Sequence, residues 1–408
     1  MRHFRAELIF ALLALVSVAH AQQPVVLQAT TVFDGRGNVL HNTRIVIQNG
    51  KIARVDPIAA PNATPVMYNL SNLTVLPGWI DTHVHITWHF SANGKLAGRD
   101  EPPYDAGVAA TGNAYKTLMG GFTTVQSLGS PEDKPLRDAI SRGDVPGPRI
   151  LTALRPISNG SMTVDQIRDW IRKLKSDGAD VVKIFASKSI REGGGPTLTQ
   201  EQLQAACGEA KAQGLRSVVH AYKEAIRMAT LAGCTQIEHG TYATDDDLKL
   251  MAERGTWFDP QAGLVIQNYL DNKQRYLGIG NYTEEGFKAM EQALPLNFDL
   301  FRRAVAIKGL KIVFGTDAVA GAHGRNAEEF IYRVRDGHQD PMAAMVSANS
   351  LAAESLGLAD QIGSIAPGMQ ADIIALDGDP LREITAVRRV VFIMKGGVVY
   401  RNNAHAPK

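Results

Sequence analysis

Four of the eleven histidines, His83, His85, His220 and His239, stand at or just beyond the ends of short apolar runs that read as β-strands. Neutral imidazoles are ligands for zinc and its neighbours, and metal-assisted hydrolysis is the chemistry such a group could support. His83 and His85 are two residues apart, so on one strand both side chains leave the same face. Any one of the four alone would read as a hydrogen-bonded core or surface histidine. Two further residues turn the balance. Lys183 lies inside the apolar run VVKIF, where an unpaired ammonium costs several kcal/mol or must shift its pKa. Asp317, in VFGTDA, sets a carboxylate in an equally apolar context. Tyr222 follows His220 on the same strand face, where its hydroxyl either meets substrate or is a buried, satisfied phenol. His323, in the AGAHGRN loop after Asp317, is a substrate contact or a plain surface histidine. Trp88 and His89, just past His85, are weaker candidates for the pocket lining.

These residues need strands to position them. Strand-like runs occur around residues 75–85, 123–128, 149–154, 181–185, 217–221, 236–240, 256–259 and 312–317, with helical runs between. One of these, TVDQIRDWIRKLKSDG, carries Ile167, Ile171 and Leu174 on one face and a glycine stop. Eight such alternations fit a (β/α)8 barrel of TIM type, and the spacing alone would also fit a doubly wound sheet. Polar residues gathered at the ends of several strands favour the barrel, whose function concentrates there. The expected fold is therefore α/β. Residues 22–73 and 367–408 read differently, as short β runs with turns, Asn49-Gly50 being a strong hairpin signal. Both chain ends are expected to join in one small β-sandwich flanking a barrel over 74–366. The stretch Leu264–Leu294 after the seventh strand is long enough to cap a site, or is an enlarged surface connection.

The bulk numbers bound the function. The chain has 408 residues, 45% hydrophobic and 21% charged, with a formal charge of +2 and no basic run, so a nucleic-acid partner is not expected. Residues 1–21 carry Arg2 and Arg5, an apolar run from Leu8 to Val18 and the small-x-small end Ala19-His20-Ala21. This pattern reads as a signal peptide cleaved near Ala21, giving an exported protein, periplasmic or secreted, without a stable membrane anchor. Cys207 and Cys234 are the only cysteines, too few for a disulfide framework. A bond between them is open, and buried thiols are the expected state. Homo-oligomerisation is left open.

The runs PGWIDTHVH, VVKIF, VVHAY, IEHG and GTDA, in that order, with SIAPGMQADIIALDGDPL near the end, resemble the amidohydrolase superfamily over nearly the whole chain after residue 21. GGFTTVQSLG, DVPGPRIL and AYKEAIRMATLAGCTQIEHG are similar to its branch of Xaa-Pro dipeptidases and imidazolonepropionase relatives. The resemblance implies a two-metal site, most simply zinc. His83 and His85 would bind the more buried ion, His220 and His239 the more exposed one. Lys183, carboxylated by carbon dioxide, would bridge them, and Asp317 would ligate and act as base. It implies hydrolysis of a C–N bond in a small amide, such as a dipeptide or an N-acyl amino acid. Opening of a cyclic amide or lactam on the same scaffold, and a noncatalytic exported binding protein, are the alternatives. Two departures stand out. The loop after the third strand, within ILTALRPISNGSMTVDQI, is shorter than that branch usually carries, which removes a substrate contact. Gln126 and Ser127 replace charges near the second strand end.

Overall fold

The computed structural model describes residues 23–61, 64–98, 100–158 and 160–404; the signal peptide expected over residues 1–21 lies outside them. Five strands open the described chain: β1 (Val25–Phe33), β2 (Val39–Gln48), β3 (Lys51–Pro57), β4 (Tyr68–Asn69) and β5 (Thr74–Pro77). Eight follow, mostly alternating with helices: β6 (Trp79–Val84), β7 (Phe122–Ser127), β8 (Arg149–Thr152), β9 (Val181–Phe185), β10 (Arg216–Ala221), β11 (Gln236–His239), β12 (Trp257–Asp259) and β13 (Lys311–Ile312). The chain closes on β14 (Ile373–Leu376), β15 (Val390–Lys395) and β16 (Val398–Asn402).

The two ends, expected to join in a β-sandwich, meet in one hydrogen-bonded sheet of eight strands, ordered β16-β15-β14-β5-β1-β2-β3 with β4 beside β1. The Asn49-Gly50 turn joins β2 to β3 with both residues at positive φ, 53° and 74°, the geometry a two-residue hairpin needs. The sheet buries both faces, as its period of two dictates. Ile373 and Ala375 pack with Leu27, Ile45 and Phe392, while Ile374 and Leu376 pack with Trp79, Phe122 and Phe314 of the central region.

The single strand expected over 75–85 is two. Its first half, β5, pairs with β1 and β14 in the terminal sheet, and the chain crosses to the central strands at Gly78. Pro77 has no N–H to extend a ladder, and a side chain at 78 would collide with Thr123. The central strands form two parallel arcs, β13-β12-β11-β10-β9 and β6-β7-β8. The ladders stop at two gaps, which isolated bridges span: Val84 with Ala318, and Ile157 with Ile184. Inside the arcs Leu128, Ala153, Val181 and Val218 pack together. Outside, helices cover them. The helix Val164–Asp177 has a Thr163–Gln166 capping box and a left-handed Gly178, and it buries the stripe Ile167, Ile171, Leu174.

The two cysteines correct the thiol expectation: Cys207 and Cys234 are disulfide-bonded, with Cα atoms 5.0 Å apart. Cys207 lies in the helix Gln200–Ala212 and Cys234 at the entry to β11. β10 and its helix Glu224–Leu231 lie between them in the chain and pack beside the first helix, so residues 27 apart meet. No helix among the described residues is long and apolar enough to cross a membrane.

Candidate metal centre

Alternation along β6 sends Asp81, His83 and His85 to one side. Asp81 is fully buried; it accepts the His83 and Thr316 N–H groups at 3.1 and 3.0 Å, the Thr316 hydroxyl at 2.6 Å and the Asn326 amide at 2.7 Å. Burial nonetheless pushes its carboxyl up to about 7. This knot fixes β6 against the segment that carries Asp317. The Asp317 N–H donates to the His83 carbonyl at 2.7 Å. Asp317 and His239 have φ of 50° and 64°, a region that residues other than glycine seldom occupy. The departure from strand geometry releases both side chains from the alternation of their strands.

The six side chains singled out in the sequence, His83, His85, Lys183, His220, His239 and Asp317, line one cavity of about 390 Å3 at the strand ends. Asp317 Oδ1 is 3.3 Å from His83 Nε2 and 3.2 Å from His85 Nε2. The rings of His220 and His239 are 4.7 Å apart, and those of His83 and His239 5.6 Å. Lys183 is buried, its Nζ without a hydrogen-bond partner and 5.3 Å from the centre of the Phe185 ring.

Burial holds the His83, His220 and His239 imidazoles well below their ordinary pKa, and therefore neutral. Burial also pushes the Lys183 amine down, against the pull of Glu238 and Asp317. Burial opposes ionisation of Asp317, but the histidines beside it and the hydrogen bond from His85 outweigh it and keep the carboxyl well below the usual range.

The geometry fits a divalent metal. Ligand atoms of His83, His85 and Asp317 all lie within 4.8 Å of one another, and His83 Nε2 is a buried nitrogen with no hydrogen-bond partner. The other His83 nitrogen, Nδ1, donates to Glu238 at 2.6 Å, which fixes the tautomer and turns Nε2 to the cavity. Glu238 also accepts from Gln236 at 2.8 Å and Gln261 at 2.7 Å, while the Gln261 oxygen accepts the His239 N–H at 2.9 Å. Asp259 lies beside Glu238 and His83, their oxygen and nitrogen atoms within 4.8 Å of one another, and also accepts from Thr82 at 3.2 Å and the buried Arg333 at 3.3 Å. Glu238, Gln261 and Asp81 were missed from sequence; the pattern IEHG offered a signal in the acid that precedes the histidine.

Tyr222 lines the cavity and stacks on His239 at 5.3 Å; burial pushes its phenol up, so it stays a donor. His323 is not among the residues lining the cavity. Its Nε2 donates to the Trp88 carbonyl at 3.0 Å, and burial lowers its pKa to about 3, so it buttresses Trp88, which does line the cavity. His89 is paired with Glu101 at 2.5 Å. Gln126 bridges the Thr82 carbonyl, 2.8 Å, and Arg216, 2.5 Å, which accounts for a neutral side chain there. The stretch Leu264–Leu294 lines the site, contributing Val265, Ile266, Tyr269, Tyr282 and Met290 to the walls.

A sequence profile of the Amidohydrolase family matches residues 74–400. The ochratoxinase of Aspergillus niger is 24% identical over 433 residues, covering 94% of this chain and 88% of that protein. The imidazolonepropionase of Rhodococcus jostii is 23% identical, covering 85% of each. A crystal structure of a Xaa-Pro dipeptidase with methionine bound in its active site superposes with a TM-score of 0.83 at 31% identity, over 93% of this chain and all of that one. The chain belongs to the amidohydrolase family, and its fold is of the TIM-barrel type those neighbours share.

Proposed function

We propose that this amidohydrolase uses two divalent metal ions, zinc in the first instance, to cleave the C–N bond of a small amide, a dipeptide or an N-acyl amino acid. One observation carries the reading: six side chains far apart in the sequence line one cavity, and one of them, Lys183, brings a buried amine without a hydrogen-bond partner. His83 and His85 would hold the inner ion and His220 and His239 the outer one, with Asp317 as a further ligand. Lys183, its amine pushed towards the neutral form by burial, would add carbon dioxide with loss of one proton, becoming an anionic oxygen ligand that bridges the pair.

The ions, when bound, would supply Lewis acidity, lowering the pKa of a captured water and polarising the scissile carbonyl. Asp317, ionised and held by its backbone turn, takes a proton from the attacking water and returns it to the departing nitrogen. Tyr222, kept protonated, donates to the carbonyl oxygen as charge develops there. The stretch from Leu264 to Leu294 forms one wall of the site and would limit the access of bulk water to it. In this reading the two arcs make one closed (β/α)8 barrel that starts at β6 and runs to about residue 366, flanked by a small β-sandwich built on the sheet of the two chain ends. Residues 1–21 direct export, and the Cys207–Cys234 bond supports an oxidising compartment.

Likeness to an imidazolonepropionase favours ring opening of a cyclic amide as the second reading. The test is metal content by plasma mass spectrometry, together with turnover of dipeptides, N-acyl amino acids and lactams. About two ions per chain and hydrolysis of a linear amide are expected. Lactam turnover alone would select the second reading, metal without turnover a binding protein, and a protein that takes up no metal would overturn the proposal.

A further inference from the structure

Arg191 lies in the short helical turn Ile190–Glu192 that follows β9, and it lines the same cavity as the metal-centre residues. Its surroundings are unusual for a partly buried guanidinium. Nε donates to the Asn281 side-chain oxygen at 2.9 Å, Nη1 lies 4.0 Å from the Met290 sulfur, and the group sits 4.1 Å from the Tyr282 ring centre and 5.4 Å from that of Tyr269. Among the described residues no carboxylate pairs with it. The nearest acid in sequence, Glu192, instead accepts from the Asn281 amide at 2.6 Å. Two tyrosine faces and one amide hold the guanidinium in place while leaving donors of its planar fork uncommitted, the arrangement that suits bidentate capture of a carboxylate. Asp317 and Arg191 line the same cavity, so an anion on Arg191 stands in the same chamber as the reacting centre. That chamber, about 390 Å3, is of a size for a small-molecule ligand.

We propose that Arg191 is the specificity residue of this site: it anchors a carboxylate of the substrate, and the enzyme therefore selects amides that carry a free acid. The inference rests on the hydrolase reading for the identity of the reaction but not for the binding. The carboxylate belongs either to the amine half, as in an N-acyl amino acid, or to the acyl half.

Three substrates separate these sources: N-acetyl-phenylalanine, its carboxamide, and N-succinyl-phenylalaninamide, assayed by release of phenylalanine or phenylalaninamide from the internal amide. One of the two acids is expected to exceed the neutral compound about 10- to 100-fold in kcat/KM, mainly through KM, the effect of a charge-assisted hydrogen bond. Arg191→Met is expected to erase that preference, and Arg191→Lys, which keeps the charge and loses the fork, to restore part of it. Equal turnover of acid and neutral substrates by the wild type would overturn the proposal, as would an equal loss on all three in both variants. Calorimetry with L-phenylalanine and L-phenylalaninamide decides the matter without turnover. Preferential binding of the acid that disappears in Arg191→Met supports the anchor even if no amide is cleaved, in which case only the hydrolase reading falls. Absence of such a preference, together with no Arg191-dependent preference for the N-succinyl acid in turnover, removes Arg191 from recognition.

Discussion

Replacing Lys183 by Met should stabilise the bare protein and weaken the metal-loaded one. The Lys183 amine is buried without a hydrogen-bond partner, and burial depresses its pKa. In the bare protein the chain must therefore bury either an unpaired ammonium or an amine stripped of its water. An unsatisfied buried polar group costs about 1–3 kcal/mol. Methionine has similar length and no polar head, so Lys183→Met should recover about that amount, less a fraction for altered packing. With metal the sign reverses. A ligand present at a thousand times its Kd stabilises the folded state by about 4 kcal/mol, and a variant without the bridging group should forfeit most of it. Urea unfolding at pH 7.5, once in chelator and once in zinc with bicarbonate, reads both effects. The curves of variant and wild type should exchange order between the two conditions. If Lys183→Met lowers the stability of the chelated protein by about 1 kcal/mol or more, the amine has a structural partner and the reasoning fails; full retention of both ions and of turnover would refute the bridging role.

Two more outcomes follow from buried carboxylates. Glu238→Gln keeps the shape but cannot accept from His83, Gln236 and Gln261 together; metal affinity should fall about 10- to 100-fold in a competition titration, and an unchanged affinity would show that the His83 tautomer is set by something else. Asp133, buried beneath Thr152 at 2.9 Å, has its carboxyl pushed up to about 6 by burial, from 3.8. The folded protein thus binds more protons than the unfolded chain between about pH 4 and 6, so this group's contribution to stability declines as pH rises through that window, by about 3 kcal/mol in all. Asp133→Asn should gain on the wild type from pH 4 to pH 7.5 in chelator by that order, and a gap that does not change with pH would mean that Asp133 ionises normally.

What the sequence disclosed followed from period and placement. Eight strands with polar residues at their ends named the six side chains, because a charged or imidazole group in an apolar run has few structural excuses. The supporting atoms were less legible. Glu238 and His239 are adjacent, so strand alternation would send them to opposite faces; a backbone turn at φ 64° lets both serve the centre, and no pattern of residue types announces that turn. His323 illustrates the converse, a loop histidine near the right strand whose ring serves a neighbouring carbonyl. Arg191, in a glycine-rich loop, is not singled out by the sequence, because the tyrosines that flank it come from a segment some 80–90 residues later. The disulfide was hidden for the same reason: helix and strand entry approach only once two strand–helix units have packed.

The terminal sheet has a consequence for how the molecule is made. Its middle register joins β5, from the first fifth of the chain, to β14, from the last tenth. A ribosome therefore emits one part of this sheet long before the other, and the early strands must wait, with the outer edge of β5 unpaired, through the synthesis of everything between. Contacts of such separation are slow to form, so the sheet can seal itself only after β14 to β16, residues 373–402, have emerged, and any chain released short of them keeps an open seam.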